Sequence, residues 1–284
     1  MVTEQNLPEG RKTSMILVTG AAGALGTLVT EQLAHRDDTV IGTRNPTQSL
    51  AALPVRRIDF DDPDTLARGF EGADVVLMIS AGYGEDDTVI ARHGAAVDAA
   101  ERAGVGHVVY TSLTADGDHL PYALPHRWTE RRLRASSLEW TILRNGLYAE
   151  LLAWLAPVSA EGRITAPLGD GRVAAVARAD LADAAVRVAV EAKAHAGRIY
   201  ELVGEQAIGG ADLAQAHGPQ VTYEPETLAR ARTRIAESGA EPFQVPMLVG
   251  TYSAIAAGFM THTGGELREL LGRAPRSPLA AAVA

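Results

Sequence analysis

Two groups of residues have types and spacings that could do chemistry. Gly20, Gly23 and Gly26 stand at the spacing G-x-x-G-x-x-G directly after the apolar run Met15-Ile16-Leu17-Val18. Leu25, Leu28, Val29 and Leu33 then recur at helical spacing, so the glycines fall at a strand-to-helix turn. There a residue without a β-carbon lets the backbone approach a pyrophosphate, whose charge the helix's unpaired N–H groups and positive dipole end can hold. Gly20, Ala22, Gly23, Ala24, Leu25 and Gly26 are the expected cradle for a dinucleotide. A merely structural tight turn is the competing explanation.

The second group is His126-Arg127-Trp128-Thr129-Glu130. His126 and Glu130 are four apart and share a face if the segment is helical. A histidine there could protonate a carbonyl oxygen near neutral pH, with Glu130 orienting it or raising its pKa. A surface ion pair or a helix cap would use the same two residues. The chain has only two lysines, Lys12 and Lys193, and none of its seven tyrosines has a lysine four residues on. The tyrosine–lysine pair of the common short-chain reductases, in which lysine lowers the tyrosine pKa, is therefore excluded. No H-E-x-x-H, no third ligand at metal spacing and no G-x-S-x-G occurs, so neither a metal centre nor a serine hydrolase is expected.

The elements that must position these residues alternate between strand and helix. Asp38 to Thr43 reads as a second strand, with Arg44 at its end where an acidic residue would select NADH. Arginine there can pair with a 2′-phosphate, so NADPH rather than NADH is expected, although a solvated surface arginine is the alternative for Arg44. A third strand, Val55 to Phe60, brings Asp59 and Phe60 to the edge of an adenine pocket, although Asp59 could cap a turn and Phe60 could be core. A fourth, Ala73 to Ser80, leads into a small-residue exit, so Ile79, Ser80 and Ala81 are expected beside the cofactor, with Gly82 and Gly84 leaving space. Asp86 to Ala103 is a helix with His93 on its apolar face, a satisfied core histidine rather than a ligand. Gly106 to Ser112 forms a fifth strand with Thr111 and Ser112 at its exit, and Trp140 to Asn145 a sixth. This alternation predicts a doubly wound parallel α/β sheet with ligands at the carboxyl ends of its strands. Beyond it a smaller α/β substrate lobe is expected. The division is residues 1–14 as a disordered leader, 15–156 as the dinucleotide-binding core, and 157–284 as mainly the lobe, intertwined with the core. The Pro/Ala-rich end after Arg273 reads as frayed.

Bulk properties narrow the partners. A net charge of −9 argues against nucleic acid or an anionic membrane surface. With no cysteine there is no thiol chemistry, and a cytoplasmic setting suffices. No apolar run is long enough to span a bilayer. A homodimer is compatible with the sequence and not specified by it.

Taken together, Thr19 to Gly26, Arg44-Asn45-Pro46, Tyr110 to Leu113, His126 to Glu130, Leu143 to Glu150, Ala177 to Asp180 and Val221 to Tyr223 resemble the NmrA-like atypical short-chain dehydrogenases. The likeness is greatest to their type 2 NAD(P)H:quinone oxidoreductase branch and covers about Met15 to Gly272. It implies a Rossmann domain with a small C-terminal lobe, NADPH across the strand ends, and a pocket lined by Asn145, Gly146 and Tyr148. It also implies direct hydride transfer to a quinone without a tyrosine acid. A ketone would instead need a proton donor such as His126 or Tyr148. Leu147, Leu151 and Trp154 would favour a flat hydrophobic acceptor, or simply be core. The chain departs from the branch at Gly209-Gly210, where a polar helix start is usual, and in an unusually apolar segment from Ala240 to Met260. Alternative readings are a non-catalytic NADP(H)-binding redox sensor and a natural-product tailoring reductase.

Overall fold

The computed structural model describes residues 14–46, 52–81 and 84–284. The expected leader therefore lies outside the described residues except for Ser14, as does Gly82. The first half of the chain builds a parallel sheet from β1 (Ile16–Val18), β2 (Thr39–Thr43), β3 (Val55–Arg57), β4 (Val75–Met78), β5 (His107–Leu113) and β6 (Glu139–Asn145). A seventh strand, β9 (Ile199–Leu202), joins from the second half, in the order β3-β2-β1-β4-β5-β6-β9. Every pairing in the sheet is parallel. The central strands β1 and β4 are short and apolar because both faces are covered. Ile16 and Val18 enter one core with Leu25, Val29 and Leu33 of α1 (Ala24–Leu33) and Leu181 and Val188 of α6 (Arg178–Val190). Leu17 points the other way, toward α2 (Pro63–Gly69), α3 (Asp86–Ala103) and α4 (Ala123–Arg134). The strand order reverses beside β1, which opens a crevice between the ends of β1 and β4.

A second core lies over the ends of the strands. Leu152 of α5 (Ala149–Leu155), Ile164 of β7 (Arg163–Ala166), Val173 of β8 (Arg172–Val173) and Ile208 of β10 (Ile208–Gly209) meet in it. Leu213 of α7 (Gly210–His217), Ile235 of α8 (Leu228–Glu237) and Tyr252 of α9 (Gln244–Ala256) complete it. β7 pairs in parallel with β11 (Thr222–Pro225), and β8 pairs antiparallel with β10. The unusual Gly210 has a packing cause: a β-carbon there would lie 2.5 Å from the Tyr223 ring, which closes over the start of α7. The apolar Ala240–Met260 segment contains α9, the helix that carries Leu248, Tyr252 and Ile255 into this core. Between these elements the chain returns to the sheet through α6 and β9, and again through α10 (Glu266–Leu271).

The C-terminus is not frayed. α11 (Pro278–Val283) is capped by the Ser277 hydroxyl, which accepts from the Ala280 N–H, and buries Ala282 in the second core. Ahead of it, Asp180, a fully buried carboxylate near the start of α6, accepts hydrogen bonds from the Arg273 guanidinium at 2.8 Å and the Arg276 backbone at 2.6 Å. The Arg276 guanidinium also reaches it. A buried carboxylate without these partners would be strongly disfavoured, so the tail is held by charge as well as by the apolar packing of α11. Asp180→Ala should cost about 3 kcal/mol of stability, read from urea unfolding; the figure is the low end for a broken buried pair because both arginines can return to water. It should also make residues 273–284 accessible to protease. A change below about 0.5 kcal/mol would show that the tail holds itself.

Candidate active site

The glycine turn forms as its spacing requires. Gly20 has φ of 65°, the left-handed region. A β-carbon on Gly26 would lie 2.2 Å from the Gly20 carbonyl, so only glycine lets α1 start this close to the turn. Gly23 is the N-cap of α1 and offers no side-chain cap, which leaves the first N–H groups of a ten-residue helix open to an anion. Beside this turn lies a cavity of about 550 Å³ walled by the exits of β1, β2 and β4. Of the expected cofactor residues, Gly20, Ala22, Gly23, Arg44, Asp59, Phe60, Ile79, Ser80 and Ala81 line it. Ala24, Leu25 and Gly26 form the first turn of α1, where only backbone N–H groups are on offer, since the Leu25 side chain is in the core.

At the β2 end of the cavity the sequence reading missed Arg92 and Asp61. The Arg92 guanidinium grips Asp61 in a two-pronged pair of 2.7 and 2.8 Å. Its hydrogen bond to Asp61 holds that carboxyl below the usual carboxylate range. Asp61 is thus neutralised by a residue of α3, and exposed Arg44 can act on an incoming phosphate. The Asp59 carboxylate accepts from the Asp61 N–H at 3.1 Å, the turn-capping role that was the alternative for it. Arg92 could not be found by local spacing, because its partner is 31 residues away.

Thr111 and Ser112 do not face the cavity. The Thr111 hydroxyl accepts from the Ser80 N–H at 3.0 Å, and the Ser112 hydroxyl donates to Glu130 at 2.6 Å; both side chains are buried. Gly146 is packed against the Leu202 carbonyl, which would lie 3.1 Å from a β-carbon there.

His126 and Glu130 do lie on one helix, α4, but Glu130 does not orient His126. The carboxylate of Glu130 is buried and bound by Arg127 at 2.6 Å, by Arg144 at 2.7 and 2.9 Å, and by Ser112. Burial pushes its carboxyl up, but the hydrogen bonds from Arg144 and Ser112 outweigh this and the net shift is downward. Glu130 is a structural anion. The partner of His126 is the Tyr110 hydroxyl, 2.9 Å from Nδ1. Burial, and then the charge of Arg127, pull His126 down to about 4. The imidazole is therefore neutral near pH 7: Glu130 does act to raise its pKa, as expected, but burial and Arg127 outweigh it. His93 is a satisfied core histidine as expected: it is fully buried, takes the Ala81 N–H on Nε2 at 3.1 Å, and meets the Thr129 hydroxyl at 2.8 Å on Nδ1. Burial holds it down at about 3.

At the end of β6, Tyr148 caps α5 and lies under the Arg178 guanidinium, 4.9 Å from its ring centroid. Burial raises the Tyr148 pKa, so the phenol stays protonated. The Glu150 carboxylate accepts from the Arg178 N–H at 3.0 and 3.1 Å and fixes where α6 begins. Two buried atoms beside Tyr148 have no hydrogen-bond partner: Asn145 Oδ1, an acceptor, and Arg178 Nε, a donor. Arg178 and Glu150 stood in stretches of family resemblance, yet nothing in their spacing marks them as neighbours. Leu147 is core and Leu151 packs on it, whereas Trp154 is exposed. Among the described residues no group of three or more His, Asp or Glu could hold a metal ion.

A family model described as NAD(P)H-binding matches residues 20–192. Quinone oxidoreductase 2 of Escherichia coli (strain K12) is 35% identical over 282 residues, 95% of this chain and 97% of that protein. An NmrA-like family domain-containing oxidoreductase of Aspergillus flavus is 28% identical over 286 residues, 92% of each. The crystal structure of NADPH-dependent quinone oxidoreductase from Escherichia coli complexed with NADPH matches with a TM-score of 0.86 at 32% identity, covering 95% of this chain and 99% of that one.

Two of the depressed histidines, His93 and His126, set an acid limit on stability. Below pH 6.5 the unfolded chain takes up protons on His93 and His126 that the folded chain refuses, so stability falls as pH drops, until the folded values near 3 and 4 are reached. Each contributes a loss of up to about 1.4 kcal/mol per pH unit in that window. His93→Gln should flatten the pH dependence of the unfolding free energy between pH 6 and 4.5 by close to one proton. An unchanged slope would mean that His93 titrates normally.

Proposed function

Because the chain belongs to the NAD(P)H-binding, NmrA-like family of oxidoreductases, we propose that it binds NADPH across the carboxyl ends of β1, β2, β4 and β6 and reduces a quinone or a conjugated carbonyl compound. The observation that carries this reading is the unpaired couple at Asn145 Oδ1 and Arg178 Nε. Buried polar atoms without partners are costly, and a carboxamide offers both a donor and an acceptor. The chemistry of the donor set thus fits a nicotinamide. At the other end the open N-terminus of α1 and the Arg44 guanidinium fit a pyrophosphate and a 2′-phosphate.

The cofactor supplies a hydride when bound. This chain's residues hold, orient and shield. Asn145 and Arg178 fix the amide and with it the face of the ring presented to the acceptor. Glu150 holds Arg178 through the backbone. Tyr148, its ring backed by the guanidinium, supplies a flat wall and a protonated hydroxyl. Tyr122, the N-cap of α4, reaches Thr251 of α9 at 3.4 Å, so the lobe meets the core at this end. Without a tyrosine–lysine pair, the reaction suits acceptors that delocalise the developing charge.

Purified protein should consume NADPH, followed by its absorbance, when given benzoquinone. Tyr148→Trp should block turnover by filling the acceptor space. Tight NADPH binding with no oxidation above the uncatalysed rate across quinones and enones would leave the redox-sensor reading standing. Arg44→Ala should weaken NADPH binding by about 1.5–3 kcal/mol, roughly 10- to 150-fold, and leave NADH nearly unchanged. An unchanged NADPH-to-NADH ratio would remove Arg44 from cofactor selection.

A further inference from the structure

A buried chain of polar groups runs from the cavity wall to His126, and the sense of its hydrogen bonds can be worked out from its ends. The Ala81 N–H can only donate, and it donates to His93 Nε2 at 3.1 Å. Neutral His93 therefore carries its proton on Nδ1, which faces the Thr129 hydroxyl at 2.8 Å. The Pro125 carbonyl can only accept, and it takes the Thr129 proton at 2.7 Å. The Tyr110 hydroxyl lies 3.5 Å from His93 Nδ1, which already holds a proton, and 2.9 Å from His126 Nδ1. The hydroxyls of Thr129 and Ser80 also stand near Tyr110; of the two nitrogens in reach only His126 Nδ1 is free to take the Tyr110 proton, and it is the closer, at 2.9 Å.

From this chain we propose that Ala81, His93, Thr129 and Tyr110 hold His126 as the neutral Nε2–H tautomer, so that His126 acts as a hydrogen-bond donor to the acceptor's oxygen and not as an acid. Tyr110, Thr129 and His93 are positioning residues acting through His126. The role rests on the reductase reading above; the tautomer does not. When a carbonyl carbon accepts hydride, the electron pair of its π bond moves to oxygen, and that oxyanion is what an Nε2–H can stabilise. The imidazole keeps its proton throughout, and water protonates the oxyanion to complete the alcohol or hydroquinone. A neutral imidazole donates without the cost of burying an imidazolium, as it does in other enzymes that polarise a carbonyl. The groups facing His126 are Tyr110 from β5 and Arg127 and Glu130 from its own helix, with His93 of α3 beyond. Arg127 disfavours an added positive charge there, and Glu130, held by two arginines, favours it by less.

Nitrogen NMR of histidine-labelled protein, without cofactor or substrate, reads the tautomer directly. The expected spectrum has His126 with an acceptor Nδ1 and a protonated Nε2, unchanged from pH 8 to 5.5. Tyr110→Phe should convert it to a mixture of tautomers, and Thr129→Val, of nearly equal volume, should disturb His93 first. With an accepted carbonyl substrate, His126→Ala should lower kcat by about 100-fold with the NADPH dissociation constant unchanged, and wild-type kcat should stay flat from pH 5.5 to 8. A protonated Nδ1 on His126 in the wild type, or a spectrum indifferent to Tyr110→Phe, overturns the chain. The predicted tautomer with a His126→Ala variant of full activity overturns the role of His126. Neither outcome depends on whether quinones prove to be the acceptor.

Discussion

The buried carboxylate of Glu130 is the fixed point on which the end of the sheet beside His126 is built. Ser112, Arg144 and Glu201 lie side by side across β5, β6 and β9, because the parallel register pairs Ser112 with Arg144 and Arg144 with Glu201. Glu130 on α4 binds the first two, and Arg144 reaches on to Glu201 at 3.1 Å. Arg127, one turn before Glu130, spans to the carbonyls of Leu113 and Thr114 at 2.9 and 2.7 Å, where β5 ends. An ionised group out of water persists only when its oxygens are answered, so the helix has one axial position and one rotation on the sheet. That position sets Tyr122 against α9 and His126 against Tyr110.

The same economy of placement explains how a lobe without a large independent sheet can close the site. Its strands come in pairs, β7 with β11 and β8 with β10, and pairs of that size are not stable alone. They are kept in place by a shared apolar core and by the chain's returns to the main sheet. α6 begins at Arg178 beside the candidate nicotinamide wall and continues into the core beneath α1. Its N-terminus is thus at once a piece of the site and a piece of the scaffold. The clamp of Arg273 and Arg276 on Asp180, three residues into that helix, ties the last segment of the chain to the same place.

What was legible in the sequence is what local physics determines. The strand–glycine–helix turn, the 3.6-residue period of α3 and the branched runs of β4 and β5 each depend on neighbours in the chain. Arg44, Asp59, Phe60 and Ser80 could be placed on the cavity wall because strand ends in a parallel sheet converge. Arg92 with Asp61, and Arg178 with Tyr148, were not, because their partners come from distant segments. Ser112 and Glu130 were misread for one reason: a polar residue at a strand exit or on a helix face has the same sequence signature whether it points to a ligand or to a buried ion pair. The C-terminal tail was read as frayed from its prolines and alanines, while what orders it is a pair of arginines whose carboxylate partners stand some ninety residues earlier.

The absence of a tyrosine–lysine pair and the depression of His93 and His126 both fit the proposed reaction. A lysine beside a catalytic tyrosine makes an acid that can hand over a proton, which a ketone needs because its alkoxide is a strong base. A quinone passes the added charge into a conjugated ring, and its reduced oxygen can wait for water. For such an acceptor the site gains more from a dry, preorganised hydrogen-bond donor than from a charged acid, whose burial would have to be compensated by a second buried charge. The carboxylate that could have compensated it, Glu130, is already bound by two arginines and a serine. His126 is left to a phenol, and a phenol supports a neutral imidazole.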